Sequence, residues 1–276
     1  MPEMKDTIRI AAVADIHCGK SSQGVFQPIF AAIGARADVL LLGGDLTDYG
    51  TAEEARILAR EVSTSLKIPV LAVLGNHDHE TGKASEVTQI LQDAGIQILD
   101  GDAVEIHGVG FAGTKGFCGG FGPRTLAPWG EESIKRFVHE AIDEALKLES
   151  ALAKLRTARR VALLHYAPIE ATVQGEPREI YPFLGSSRLE EPLNRFNVSA
   201  VFHGHAHHGT PDGRTSAGAP VYNVALPLLR RAFPEHTPVR IVELPITAAV
   251  ELDRRSTDRR TTAAPAQELE TAPTRT

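Results

Sequence analysis

The sequence predicts an α/β fold in which a parallel sheet gives way to a second sheet. Three observations predict it. Apolar, β-prone runs alternate with amphipathic stretches from residue 7 to 95, the pattern of right-handed βαβ units. Between residues 96 and 112 the alternation is replaced by three short strand-like runs with little helix between them. Finally, five strand-like runs stop at polar residues of ligand type. Open α/β sheets hold their ligands outside the carboxyl ends of such strands.

Taken in order, residues 7–14 read as the first strand and end in Asp15-Ile16-His17. Residues 23–37 have helical apolar spacing, and residues 39–42 form a second strand ending in Gly43-Gly44-Asp45. Residues 52–66 read as a helix with Thr51 as N-cap and Glu53 and Glu54 in its first turn, where carboxylates are favoured. Residues 69–74 form a third strand that stops at Gly75-Asn76-His77-Asp78. A helix over 84–94 follows, with Gly95 as its stop. The short runs 96–99, 103–106 and 109–112 turn the chain into the second sheet.

A glycine-rich loop over 113–122 lacks the Gly-Lys-Ser/Thr ending of a nucleotide P-loop. It is read as a loop over the site, with Lys115 and Arg124 facing a substrate anion and Phe117, Phe121 and Trp129 as an apolar lip. The longest helix spans 131–155, with His139 off its apolar stripe. Residues 159–164 return as a strand that ends at His165. The aperiodic stretch 170–187 is a second candidate lid bearing Arg178, Glu179 and Tyr181. A helix over 188–196 and a strand over 198–202 lead to His203-Gly204-His205, and residues 220–224 and 239–244 are late strands of the second sheet. One domain is expected over 1–247, and 248–276, poor in apolar anchors, reads as a disordered tail.

The composition is that of a globular protein: 276 residues, 42% hydrophobic, 23% charged. A net charge of −6 argues against a broad nucleic-acid or membrane footprint. Cys18 and Cys118 are the only cysteines, so no disulfide framework is implied. The N-terminus carries no apolar signal segment, and no run is long enough to span a bilayer. A cytoplasmic location is the resulting expectation; oligomeric state is left open.

The strand-end residues are carboxylates, imidazoles and one amide, without thiolates. That set suits borderline-to-hard divalent ions rather than a cysteine-rich structural zinc site. Asp45 is central in the series, and a carboxylate with two oxygens can serve two ions roughly 3.5–4 Å apart. In order along the chain, Asp15-x-His17, Gly44-Asp45-Leu46-Thr47-Asp48, Gly75-Asn76-His77-Asp78, His165 and His203-Gly204-His205 resemble the motif blocks of the calcineurin-like metallophosphoesterases. Their spacing is most similar to the cyclic-nucleotide phosphodiesterase-like branch.

The resemblance implies a four-layer sandwich: two mixed sheets face to face, helices outside, metals along one edge. It assigns one divalent ion (Mn, Fe or Zn) to Asp15, His17, Asp45 and His205, and another to Asp45, Asn76, His165 and His203. It further implies hydrolysis of a phosphodiester or phosphomonoester by in-line attack of a metal-bridging hydroxide. His77 would assist the leaving group and Asp78 would orient the His77 ring. Asp48 is read as a support for its loop, and His79, His207 and His208 as rim residues. His107 and His236 are read as ordinary surface or core histidines. The alternatives are a nuclease acting on DNA or RNA, which the acidic balance disfavours, and a catalytically silent scaffold, which would be expected to lack one of these residues.

Overall fold

The computed structural model describes residues 6–246; the predicted tail lies outside the described residues. β1 (Thr7–Val13), β2 (Val39–Gly43), β3 (Val70–Val73) and β4 (Ile96–Ile98) run parallel in that order. β11 (Arg240–Pro245) lies antiparallel along β1 and completes a five-stranded sheet. The second sheet holds six strands. β5 (Asp102–Ile106) pairs antiparallel with β6 (Val109–Gly113), which runs parallel to β7 (Arg159–Leu163). β8 (Ala200–His203) and β10 (Pro220–Asn223) continue the parallel run, and the three-residue β9 (Asp212–Arg214) closes the edge antiparallel to β10. Two strands sit differently from the sequence expectation. The 96–99 run and the 239–244 run are the edge strands of the first sheet. Strand patterning gives each run's inward face but not its neighbour, which pairing alone decides.

Helices α1 (Gln27–Gly34), α2 (Ala52–Ser65) and α3 (Ala84–Asp93) cover the first sheet. α1 is shorter than the expected 23–37. The backbone N–H groups of Gly24, Phe26 and Gln27 donate to the buried Glu61 carboxylate instead of continuing a helix. α2 starts with a capping box: Thr51 accepts from the Glu54 backbone, and the Glu54 carboxylate accepts from the Thr51 N–H. α4 (Glu132–Lys154), α5 (Tyr181–Leu184) and α6 (Glu190–Arg195) belong to the side of the second sheet. α7 (Leu226–Ala232), which the sequence reading did not find, begins with Pro227 in its first turn.

The layers follow from strand parity. Ile8, Ile10 and Ala12 of β1 meet Phe111, Val161 and Phe202 between the sheets, whereas Ala11 and Val13 face α1 and α2. Burying each large apolar side chain contributes about 1.5–3 kcal/mol relative to exposure. The result is helix, sheet, sheet, helix, with both sheets directed so that β1, β2, β3, β7 and β8 end at one edge. Ala14 stitches that edge together: its N–H donates to the Val224 carbonyl and its carbonyl accepts from Leu226 N–H, 2.9 and 2.8 Å.

Candidate metal centre

At this edge the backbone turns sharply out of each strand. Asp15, His17, Asp45 and His205 all have positive φ, at 53°, 43°, 46° and 68°. A left-handed backbone at a residue with a side chain costs about 1–3 kcal/mol, and it persists where surrounding structure enforces it. The enforcement is visible. Asp15 N–H donates to Gly44 O and His17 N–H to Asp45 O, each at 3.0 Å. Both Asp15 carboxylate oxygens accept from the His205 N–H, at 3.1 and 2.9 Å. Two glycines are required by close approach. A Cβ on Gly75 would lie 2.1 Å from Asp45 Oδ1, and one on Gly204 would lie 2.3 Å from Asp15 Oδ2.

Ligand atoms gather in three overlapping groups, each within 4.8 Å: Asp15 with His17 and His207, His17 with Asp45 and His77, and Asp45 with His165 and His205. The hydrogen bonding leaves places for cations. His165 Nδ1 donates to the Gly43 carbonyl at 3.0 Å, so its Nε2 presents a lone pair. That lone pair faces Asn76 Oδ1 at 2.9 Å and Asp45 Oδ1 at 3.4 Å. In a neutral ring these are three acceptors converging on one point, a place suited to a cation. His17 Nε2 is buried without a hydrogen-bond partner, 3.7 Å from Asp45 Oδ2. His205 gives its Nε2 to the Phe183 carbonyl at 3.1 Å, freeing Nδ1. These oxygen and imidazole donors fit divalent cations.

The electrostatics agree. Burial, reinforced by His165, pushes His205 down to about 4, so the ring is neutral and able to ligate. Burial alone would raise the Asp15 carboxyl, but the hydrogen bond from His207 and the neighbouring imidazoles hold it below its ordinary value. The same bond, Nε2 to Oδ1 at 3.1 Å, raises His207.

One expected ligand is elsewhere. His203 is the last residue of β8, paired with Asn223 of β10, and shares a face with Val201 in the core under the outer helices. It is fully buried; its Nδ1 meets the Gly204 carbonyl and its Nε2 the Thr172 hydroxyl, both at 2.8 Å. The alternating histidine pair brought to the cluster is therefore His205 and His207, two residues later. His205 joins Asp45 and His165, not Asp15 and His17, and His207 is no rim residue. The missed signal was Gly204. The chain leaves the sheet there, so the side chains that reach the cluster begin after it.

The His77 surroundings need a second correction. Its Nδ1 bonds to the backbone carbonyl of Asp48 at 2.7 Å, not to Asp78, and its N–H donates to Asp45 Oδ1 at 2.9 Å. Asp78 is fully buried and accepts from Leu46 N–H, Thr47 N–H, the Thr47 hydroxyl and Gly75 N–H. It clamps the loops after β2 and β3 together, and so fixes Asp45 and His77 indirectly. Asp48, read from sequence as a loop support, touches two site rings: its carboxylate lies 3.4 Å from His17 Nδ1. The His17 and His77 rings meet edge to face at 4.5 Å.

The three cations expected at the substrate divide. Lys115 is half-buried, and its carbonyl accepts the N–H groups of His165 and Tyr166. Arg124 and Arg178 are exposed on one-turn helices and touch none of the metal-binding groups. The glycine-rich loop binds the 180–187 segment: Gly119 N–H donates to Pro182 O and Gly120 N–H to Gly185 O.

No helix among the described residues is long and apolar enough to cross a membrane. No curated protein matches the sequence. Among solved structures, phosphopantetheinyl hydrolase from Mycobacterium tuberculosis is similar, with a TM-score of 0.62 and 14% identity over 84% of this chain and 95% of that one. TT1561 of Thermus thermophilus is similar at a TM-score of 0.47 and 14% identity, over 87% of this chain and all of that one. At such identity the first is a likeness of fold. The model of the calcineurin-like phosphoesterase family matches residues 8–209, a span that takes in all three ligand groups. The chain belongs to the calcineurin-like phosphoesterases and is a metal-dependent hydrolase of phosphoesters.

Proposed function

We propose that this chain cleaves a phosphodiester or phosphomonoester at two divalent ions held by its strand-end residues. Asp15, His17, Asp45 and His207 would hold one ion; Asp45, Asn76, His165 and His205 would hold the other. Bound there, such ions supply charge neutralisation at phosphoryl oxygens and a water acidic enough to react near neutral pH. The observation that carries the reading is the convergence of Asn76 Oδ1 and Asp45 Oδ1 on His165 Nε2, at 2.9 and 3.4 Å.

The chain's own residues do the rest. Asp45 is common to both ligand sets, and its Oδ1 also fixes the His77 backbone. With Nδ1 committed to the Asp48 carbonyl, His77 is left with Nε2 to face the ester. In its protonated form it can give that proton to the departing oxygen, as a general acid does. Asp78 contributes by holding the loops that carry Asp45 and His77 in register. The scaffold alternative loses its support, because His77 and both ligand sets are filled.

The test is elemental analysis of the purified full-length chain, then a turnover screen with Mn²⁺, Fe²⁺ or Zn²⁺ against monoesters, diesters, cyclic nucleotides and nucleic acids. The expected outcome is near two ions per chain and activity abolished by chelation. Turnover indifferent to exhaustive chelation would overturn the proposal.

A further inference from the structure

Beside the metal groups lies a cleft of about 440 Å³ that no step above uses. It begins at His79, the last residue of the one-turn helix that opens with His77, and runs between α3 and α4. Its volume is within the range of small-molecule sites. Its lining mixes apolar side chains such as Leu74, Ile98 and Leu99 with charged ones, and the charges bear on which ligand it takes.

Those charges are almost all neutralised in place. Lys147 pairs with Asp100 at 3.0 Å and with Glu144 at 2.8 Å. Glu144 is buried and also accepts from the Thr114 hydroxyl and Gly116 N–H. Asp102 pairs with Lys154 at 3.6 Å. Burial, with the charge of Lys115 next, pushes the His79 imidazole down and keeps it neutral.

Two lining charges form no ion pair among the described residues: Lys115 and Glu140. They are not equivalent. Glu140 is exposed, and water solvates it at the rim. Lys115 is half-buried, and its ammonium makes one hydrogen bond, to the Gly116 carbonyl at 2.9 Å. It rests over the Phe117 and Tyr166 rings, 4.8 and 5.4 Å from their centroids. An ammonium has three donors, so two remain for a ligand. The Tyr166 ring is itself 4.5 Å from His205, which places this cation one aromatic ring away from the metal groups.

We propose that the cleft receives the non-scissile part of the substrate, and that this part carries a second anionic group, a carboxylate or phosphate, bound by Lys115. The inference rests on the hydrolytic reading of the adjoining site. A cation deprived of much of its water, with Glu144 and Glu140 near it but no carboxylate in contact, gains from a directly bound anion. Gln89, Gln92 and Thr88 line the same cleft with amide and hydroxyl groups for the remainder of a polar ligand. Glu140 opposes an anion at the mouth and so sets an upper limit on negative charge.

The test uses two pairs of probes on the full-length, Mn²⁺-loaded chain. The first pair is 4-carboxybenzylphosphonate and its 4-carbamoyl analogue, which differ in charge only at the para group, with affinity read by calorimetry. The second is 4-carboxyphenyl and 4-carbamoylphenyl phosphate, each also as the methyl diester, read by turnover. The wild-type chain should bind the carboxylate about tenfold more tightly, the scale of a partly desolvated ion pair. Lys115→Met should erase that preference, and in turnover the loss should reside in KM. Glu140→Gln should shift the preference the other way, an opposition of sign that a general loss of folding does not produce. Equal binding of the two phosphonates by the wild-type chain, or a preference that survives Lys115→Met, overturns the proposal. A preference that behaves as expected while no ester is hydrolysed sinks the hydrolase reading and leaves the anion site standing.

Discussion

Two arms of the chain offer the same alternation of ligand-type residues at the same edge of the molecule. One is Asp15-x-His17 after β1; the other is the run His203, His205, His207, His208, which starts on the last residue of β8. In the first arm only one register exists, because the strand ends at Val13 and both ligand types lie beyond it. In the second, alternation by two residues fits His203 with His205 and His205 with His207 equally well. The difference lies in where the chain leaves the sheet. His203 is still paired to Asn223 and its ring is spent on Gly204 and Thr172. Gly204 passes so close to Asp15 that no Cβ fits, and the residues after it swing toward the metal groups. Periodicity finds a set of candidate ligands; only the last ladder hydrogen bond finds which members of the set are free.

The residue that joins the arms should be the most sensitive. Asp45→Asn should take metal content toward zero and turnover with it, because Asp45 stands in the groups of both arms. Elemental analysis checks this. Two ions retained would show that the arms bind independently and that Asp45 is not shared.

Next in size is the contrast within the second arm. His207→Ala should lower metal content toward one ion per chain. His203→Ala should keep both ions and instead destabilise the fold by about 1–3 kcal/mol, the scale of a buried hydrogen-bonding group lost. Denaturant melts and metal content on the two variants separate these outcomes. The reverse pattern would restore the register that alternation alone suggests.

What the sequence made legible followed from the same physics. The alternation of strand and helix through residue 95 needs only local periodicity, and the Thr51 cap needs only neighbours three residues apart. Edge strands β4 and β11 were misplaced because their partners are chosen by long-range pairing. Asp78 was given to His77 because the two are adjacent in sequence. In the fold its carboxylate turns away to the loop after β2, and a backbone carbonyl, invisible in any motif, takes the ring.

His77→Gln probes the centre of the site rather than either arm. It should keep both ions and slow hydrolysis of esters with basic alkoxide leaving groups by roughly 100- to 10,000-fold. The loss should be clearly smaller for a nitrophenolate, which departs without a proton. Equal losses at full metal occupancy would mean that His77 acts on the phosphoryl oxygens.

The smallest effect sharpens the first arm. Asp48 meets His17 through its carboxylate and His77 through its backbone carbonyl. Only the first contact depends on the side chain. Partners that orient a ligating imidazole are commonly worth about 10- to 100-fold in metal affinity or activity. The Asp48 side chain is 39% exposed and 3.4 Å from His17 Nδ1, so water screens the contact and the lower end, about tenfold, is expected. Asp48→Asn should therefore weaken one ion of the pair by about tenfold in a chelator competition and leave the other unchanged. It should also leave the leaving-group selectivity as in the wild type, because the carbonyl that holds His77 survives the substitution. If selectivity instead collapses as in His77→Gln, the carboxylate is the group that positions His77 during turnover. The loop after β2 would then orient the acid as well as the first arm's His17.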